Sequence, residues 1–153
     1  MEKINLSRIT LFCLDGRPHD NDRTERYRNI LRFMMDRVNF YDIKVFTTTD
    51  IGVPGIDNRI IGRMEIGEYS DFCISELNKH IDSDFCLIFQ DDGFILNPHL
   101  WDDSFYNYDY IGAPWPLYIG WPREGQQVGN GGFSLRSKKF LESSSKLPRT
   151  MSN

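Results

Sequence analysis

The sequence predicts an α/β fold: a mainly parallel central sheet flanked by helices. Three observations carry that expectation. Residues 9–14 (ITLFCL) and 85–89 (FCLIF) are short apolar runs, the pattern of strands buried on both faces. Two stretches between them repeat apolar residues at helical spacing. Strand and helix signals then alternate as strand, helix, strand, short strand, helix, strand, the order of parallel sheets of the nucleotide-binding kind.

The first run ends at Asp15-Gly16-Arg17-Pro18, a loop at the same sheet edge as Asp92 if the strands are parallel. The Leu-Asp-Gly triplet is not the phosphatase D-x-D-G motif, because Cys13 stands at the nucleophile position and no Thr follows the glycine. A helix follows from about Arg23, with Asp22 and Glu25 spaced as a capping box. Tyr27, Ile30, Leu31, Met34 and Val38 form its apolar face, and Asn39 stops it. Residues 43–47 (IKVFT) make the next strand, with the polar tip Thr48-Thr49-Asp50. Val53-Pro54-Gly55 marks a turn, and residues 58–66 hold one short strand. The second helix spans about 68–81, with Tyr69, Phe72, Cys73, Leu77 and Ile81 on one side. Its N-terminal turn either faces a phosphate or only packs on the sheet.

The run at 85–89 stops at Asp91, Asp92 and Gly93. Open α/β sheets bind ligands just beyond the carboxyl ends of their strands. Two carboxylates there suit a hard cation, Mg²⁺ or Mn²⁺, whose shell is completed by substrate phosphates. An acidic, solvated loop is the competing reading. No G-x-G-x-x-G or G-x-x-x-x-G-K-[ST] occurs, which excludes the Rossmann dinucleotide fingerprint and the Walker loop.

Beyond Gly93 the chain is rich in aromatics. Trp115 stands between Pro114 and Pro116, on irregular backbone rather than in a ladder. Aromatic faces beside carboxylates suit sugars, and core packing is the alternative, expected for one of Tyr108 and Tyr110, which alternate across a predicted strand. Asn130-Gly131 is a type I′ hairpin signal, and the glycines 131 and 132 also allow a ligand close to the backbone. Ser137 is placed to cap a final helix over 138–142.

The 153 residues form one domain, 1–153, long enough for a core without staples. A formal net charge of −4 without a Lys/Arg cluster points away from nucleic acid and anionic membranes. The start lacks an apolar signal region and no run is long enough for a membrane span, so a soluble, intracellular (cytoplasmic) protein is expected. Cys13, Cys73 and Cys86 have no metal-ligand spacing and read as buried thiols. His19, His80 and His99 read as surface or structural residues.

Together Gln90, Asp92-Gly93-Phe94, Leu96-Asn97-Pro98, Trp101, Phe105, YDYIGAPWP at 108–116 and VGNGGFSLRS at 128–137 resemble a glycosyltransferase-like family of GT-A type, known largely as an uncharacterised domain. The resemblance implies a GT-A-like fold and transfer of a sugar from a nucleotide-sugar donor to a hydroxyl acceptor with Mn²⁺ or Mg²⁺. It implies Asp92 as the metal-binding residue of a D-x-D-like motif, with Asp91, where the family often has Trp, as an open second ligand. It puts Asp15, Gly16, Arg17, Thr48 and Thr49 beside the nucleotide, and Trp115, Asn130, Gly131 and Gly132 beside the sugar or acceptor. The family's acidic Glu-Asp element, its natural base, has no counterpart before Asn153. The chain is then expected to be a fragment, to draw its base from elsewhere (Asp103 and Asp109 are candidates), or to bind without turnover. Two other functions stay open: a non-catalytic sugar or nucleotide-sugar binding module, and a nucleotidyltransferase.

Overall fold

The computed structural model describes residues 2–114, 118, 120 and 130–148. Six strands form one sheet: β1 (Ile4–Asp15), β2 (Val38–Thr47), β3 (Asp57–Ile60), β4 (Phe85–Ile88), β5 (Tyr110–Ala113) and β6 (Asn130–Ser137). Their order across the sheet is β3-β2-β1-β4-β6-β5. β1 pairs in parallel with both β2 and β4, and β2 in parallel with β3. β6 runs antiparallel to both β4 and β5. The fold is therefore α/β with a mixed, mainly parallel sheet, as the alternating pattern predicts.

Alternation along the strands divides the core into two layers. Leu11, Cys13, Val45, Phe85 and Leu87 face one way, onto Tyr27, Ile30, Leu31 and Met34 of α1 (Asn21–Met35). Phe12, Leu14, Phe46, Cys86 and Ile88 face the other, onto Cys73, Leu77, Ile81 and Leu141. Those partners come from the helical segment between β3 and β4 and from α3 (Lys138–Ser145). Burying one such Leu, Ile or Phe contributes about 1.5–3 kcal/mol. Two apolar faces explain why the central strands read as continuous apolar runs rather than alternating ones. The three cysteines are free and buried, as expected.

Several boundaries differ from the sequence reading, each for a local reason. β1 starts at Ile4, well before the apolar run, because its first half is half-solvated and lacks the fully buried signature. α1 is capped by Asp20, whose Oδ1 accepts from Arg23 N at 2.8 Å, so Asp22 lies inside the first turn and is not the cap. Val38 and Asn39 belong to β2, which begins at Val38; the helix has already ended at Met35, where Asp36 N donates to Arg32 O at 3.0 Å. The second helical segment is not uniform. It opens as α2 (Ile66–Asp71) with a Glu65/Glu68 capping box, widens into a π turn over Phe72–Glu76 and tightens to 3₁₀ over Leu77–His80.

The largest correction concerns Asn130-Gly131. These residues open β6 instead of forming a two-residue hairpin tip, and the register sets Asn130 opposite Ala113 of β5. β5 thus finds its partner across the long connection 114–129, and Gly131 does not adopt the positive φ that a type I′ turn demands. Tyr108 precedes β5, so it does not alternate with Tyr110 in a ladder; it is exposed while Tyr110 is half-buried. Ser137 caps α3 as expected, its Oγ accepting from Phe140 N at 3.0 Å. Among the described residues no helix is long and apolar enough to cross a membrane.

Candidate active site at the strand tips

From β1 the chain adds β2 and β3 on one side, then returns to place β4 on the other. The order reverses between β1 and β4, and ligands of open α/β sheets bind outside the carboxyl ends at such a switch point. Asp15 ends β1, and the turn after β4 carries Asp91 and Asp92, so both reach this crevice. β6 is antiparallel to β4, which brings its beginning, Asn130 to Gly132, to the same edge. The contact is close: a Cβ on Gly93 would lie 3.0 Å from Phe133 Cβ.

Asp15 is the best-held polar group of the site. It is 3% exposed and accepts from Arg17 N (3.1 Å), Arg17 Nε (2.9 Å), Arg17 Nη2 (2.7 Å) and the Tyr27 hydroxyl (2.7 Å). Burial alone would raise its pKa. The hydrogen bonds from Arg17 and Tyr27 outweigh burial and bring the group down to about 2, so it is ionised at neutral pH. The fork geometry, two guanidinium nitrogens on two carboxylate oxygens, fixes the Arg17 side chain.

The loop after β1 is pinned from two further directions. Gly16 O accepts from Met64 N at 3.1 Å, and Arg17 O accepts from Thr48 Oγ1 at 2.8 Å. A Cβ on Gly16 would sit 2.5 Å from Met64 Cβ and 2.6 Å from Met64 N, so glycine is required by close backbone approach. Thr49 contributes its carbonyl, which accepts from Thr47 Oγ1 at 2.8 Å. Asp15, Gly16, Arg17 and Thr48 are therefore gathered at one corner of the crevice, with Thr49 beside them.

The turn after β4 is tight: Gln90 N donates to Gly93 O at 2.9 Å and Gly93 N to Gln90 O at 3.1 Å. Its two central residues diverge. Asp91, with a side chain 11% exposed, faces three guanidinium groups: Arg17 Nη2 at 3.0 Å, Arg26 Nη2 at 3.4 Å and Arg23 Nε at 3.7 Å. Asp92 is exposed and makes no hydrogen bond or ion pair among the described residues. Among the described residues no group of three or more His, Cys, Asp or Glu side chains is placed to hold a metal ion. As placed, Asp91 is committed to arginines, and Asp92 is the carboxylate left to touch a cation.

On the β6 side, Gly131 O accepts from Ser134 Oγ at 3.0 Å. Arg136 lies over the rings of Tyr110 and Phe140, 5.3 and 6.0 Å from their centroids, a cation–π arrangement that braces the β5–β6 end of the sheet. Gly132 follows in the same strand. Trp115 lies outside the described residues. Trp101 is not a free sugar platform: it packs edge-on against Phe105 and Tyr106, and its Nε1 donates to Asp103 at 2.9 Å. It lines an apolar cavity of about 400 Å³ with Phe94, Ile111 and Phe133.

Four contributors escape the sequence reading: Arg23, Arg26, Tyr27 and His19. Tyr27 reads as a core residue, which its ring is, yet its hydroxyl is a ligand of Asp15. The His19 side chain is buried and stacks on Tyr27 at 5.4 Å between centroids. Its Nε2 approaches Asp15 Oδ2 to 3.5 Å without hydrogen-bond alignment, and neither ring nitrogen has a hydrogen-bond partner among the described residues. Burial lowers its pKa, which leaves it neutral at pH 7. The i, i+3 spacing of Arg23 and Arg26 was the available signal, since it puts both on one helical face.

No curated protein and no solved structure matches the chain. Residues 56–151 match the model of a family described as a protein of unknown function, DUF5672; the match covers β3 through α3, most of the chain, and the protein belongs to that family.

Proposed function

We propose that the protein is a glycosyltransferase of GT-A type that uses a nucleotide-sugar donor and a hydroxyl acceptor. One observation carries the reading. The tips of β1, β2 and β4 and the start of β6 lie along one edge of the sheet at the switch point, which carries residues 15–17, 48, 91–93 and 130–132. The mixed, mainly parallel sheet agrees with the architecture that the sequence resemblance implies.

In this reading the residues divide the work by position. The Asp15–Arg17 fork, fixed by Tyr27, holds a guanidinium rigidly at the mouth, where a diphosphate's charge is met without reorganisation. Gly131 and Gly132 lie beside the transferred sugar; the space of a Gly131 side chain is taken by Arg136, whose Nη2 would be 3.0 Å from a Cβ there. A Mn²⁺ or Mg²⁺ ion, when bound, supplies neutralisation of the departing diphosphate. The residues fit a site with one protein carboxylate, Asp92, the remaining ligands coming from the donor's phosphates. With Asp91 turned to the three arginines, they make a one-carboxylate rather than a two-carboxylate site.

A second reading, a nucleotide-sugar binding module without turnover, has its own support. Both carboxylates considered as a base are in structural use: Asp103 accepts from Trp101 Nε1 at 2.9 Å, and Asp109 Oδ1 accepts from Ser137 Oγ at 2.7 Å. Nucleotidyl transfer asks for paired carboxylates, and Asp91 as placed faces arginines instead of pairing with Asp92. Calorimetry with a panel of nucleotide-sugars, with and without Mn²⁺, tests the proposal. At least one donor binds, and Asp92→Asn abolishes the Mn²⁺-dependent part of its affinity. No binding by any donor refutes both the enzyme and the module. Hydrolysis or transfer of the bound donor, read by release of nucleoside diphosphate, separates the two.

A further inference from the structure

Three arginines converge on one carboxylate, and the carboxylate does not satisfy them. Asp91 offers two oxygens. Only the Arg17 contact, at 3.0 Å, approaches the 2.7–2.9 Å of a good charge-assisted bond, while Arg26 at 3.4 Å and Arg23 at 3.7 Å stand off. Arg23 Nε is buried and has no hydrogen-bond partner among the described residues, although Arg23 Nη1 donates to Pro18 O at 2.8 Å. A buried guanidinium N–H left without an acceptor is uncommon and asks for an explanation.

The placement on the helix is also unfavourable by itself. Cations stabilise helix C-termini and oppose the positive end of the dipole. Yet Arg23 lies in the first turn of α1, beside the acidic Asp20 cap and Asp22, with Arg26 in the next turn and Arg17 in the loop that leads in. Local rules broken together at one place mark a functional site more often than a structural one. A second anion at this spot relieves all three defects: it accepts from Arg23 Nε, shortens the Arg26 contact and balances the positive helix end.

We propose that Arg17, Arg23 and Arg26 form a phosphate-binding site, sized for a diphosphate, in which the Asp91 carboxylate is an internal stand-in that the ligand displaces. The site takes the phosphates by direct guanidinium contacts, independently of a divalent ion. Tetrahedral phosphate oxygens accept in several directions, so N–H groups of all three guanidiniums can be met at once, while the Nε and Nη2 fork of Arg17 stays on Asp15. The identity of the carrier, a nucleoside diphosphate, rests on the donor reading above; the phosphate site does not. Asp15 stays in place throughout, since it is the group that orients Arg17.

Calorimetric titration of the whole chain with inorganic pyrophosphate, in EDTA, tests the site. The parent binds without metal. Arg23→Gln/Arg26→Gln weakens binding at least tenfold, and Asp91→Asn tightens it several-fold because the internal competitor is gone. Should the double arginine variant fail to fold, as judged by circular dichroism, Asp91→Asn decides alone. Pyrophosphate binding that appears only with Mn²⁺, or an Asp91→Asn variant that binds equally or more weakly, overturns the proposal. Titration with nucleoside diphosphates and nucleotide-sugars keeps the two readings apart. Pyrophosphate held by the arginines with no nucleotide-sugar bound removes the donor reading and leaves this site standing. A nucleotide-sugar bound only with metal, with pyrophosphate ignored in EDTA, does the reverse.

Discussion

Replacing Asp15 by Asn keeps the shape of the side chain and removes its charge, so it isolates what the carboxylate contributes. The group accepts four hydrogen bonds, three of them from Arg17 and one from Tyr27. Its pKa lies at about 2 against an ordinary 3.8, because those bonds outweigh the cost of burial. By linkage that difference stabilises the fold by about 2 kcal/mol at neutral pH. The sign follows from a depressed acid: the contribution is present above the unfolded value of 3.8 and disappears as pH falls through about 2. Roughly half of it remains at pH 3. The amide retains a carbonyl to accept from one donor but turns an N–H toward the others, which adds a share of about 1 kcal/mol. Urea denaturation followed by circular dichroism should give Asp15→Asn about 2–3 kcal/mol less stability at pH 7, and a gap that narrows toward pH 3. A variant as stable as the parent at pH 7, or a gap that stays constant with pH, refutes the account of Asp15 as the ionised anchor of Arg17.

Three further outcomes follow from neighbouring contacts. His19 is buried and neutral with its pKa lowered, so its contribution to stability is present above the unfolded value near 6.5 and is lost as pH falls below it; melts from pH 8 to 5 should show this loss in the parent and a flatter profile in His19→Phe, and equal slopes would disprove it. Gly16→Ala must push Met64 away, at a cost of about 1–3 kcal/mol, and an unchanged melting temperature would contradict the close approach at 2.5 Å. Ser83 Oγ donates to Phe85 O at 2.7 Å and lies 2.6 Å from Thr10 Oγ1, both hydroxyls being buried. Ser83→Ala should therefore cost about 1–3 kcal/mol, with Thr10→Val recovering part of it in a double-mutant cycle; strict additivity would show that the two hydroxyls do not interact.

What the sequence made legible is what depends on local pattern. The apolar runs located β4 and the inner half of β1, and the polar residues just past them located the strand tips. Ser137 was readable as a cap because it directly precedes the α3 residues it serves. The failures share a cause as well. Asp20 and Asp22 both qualify as caps in D-N-D-R, and only the backbone chose the earlier one. Asn130-Gly131 carries a hairpin signal, but such a signal assumes that the flanking strands are the partners. Here β5 precedes β6 by a long connection, and the partner was not adjacent in sequence. Arg23 and Arg26 look like the solvated side of an amphipathic helix; the carboxylate that gives them meaning, Asp91, is 65 residues from Arg26.

The two buried-end carboxylates of the crevice therefore have different futures, although they look alike in the sequence. Asp15 is anchored by short bonds from a neighbour two residues away and by a tyrosine from the core face of α1, contacts that exist whatever binds. Asp91 sits on a two-residue turn and is held at 3.0, 3.4 and 3.7 Å by arginines from another part of the chain. An incoming anion competes with the weaker set, and the weaker set belongs to Asp91. Neutralising Asp15 should thus loosen Arg17 and cost both stability and phosphate affinity, whereas neutralising Asp91 should raise that affinity. Opposite signs at two aspartates that share one arginine distinguish a preformed anion site from a plain ion-pair network, in which both substitutions would only weaken the structure.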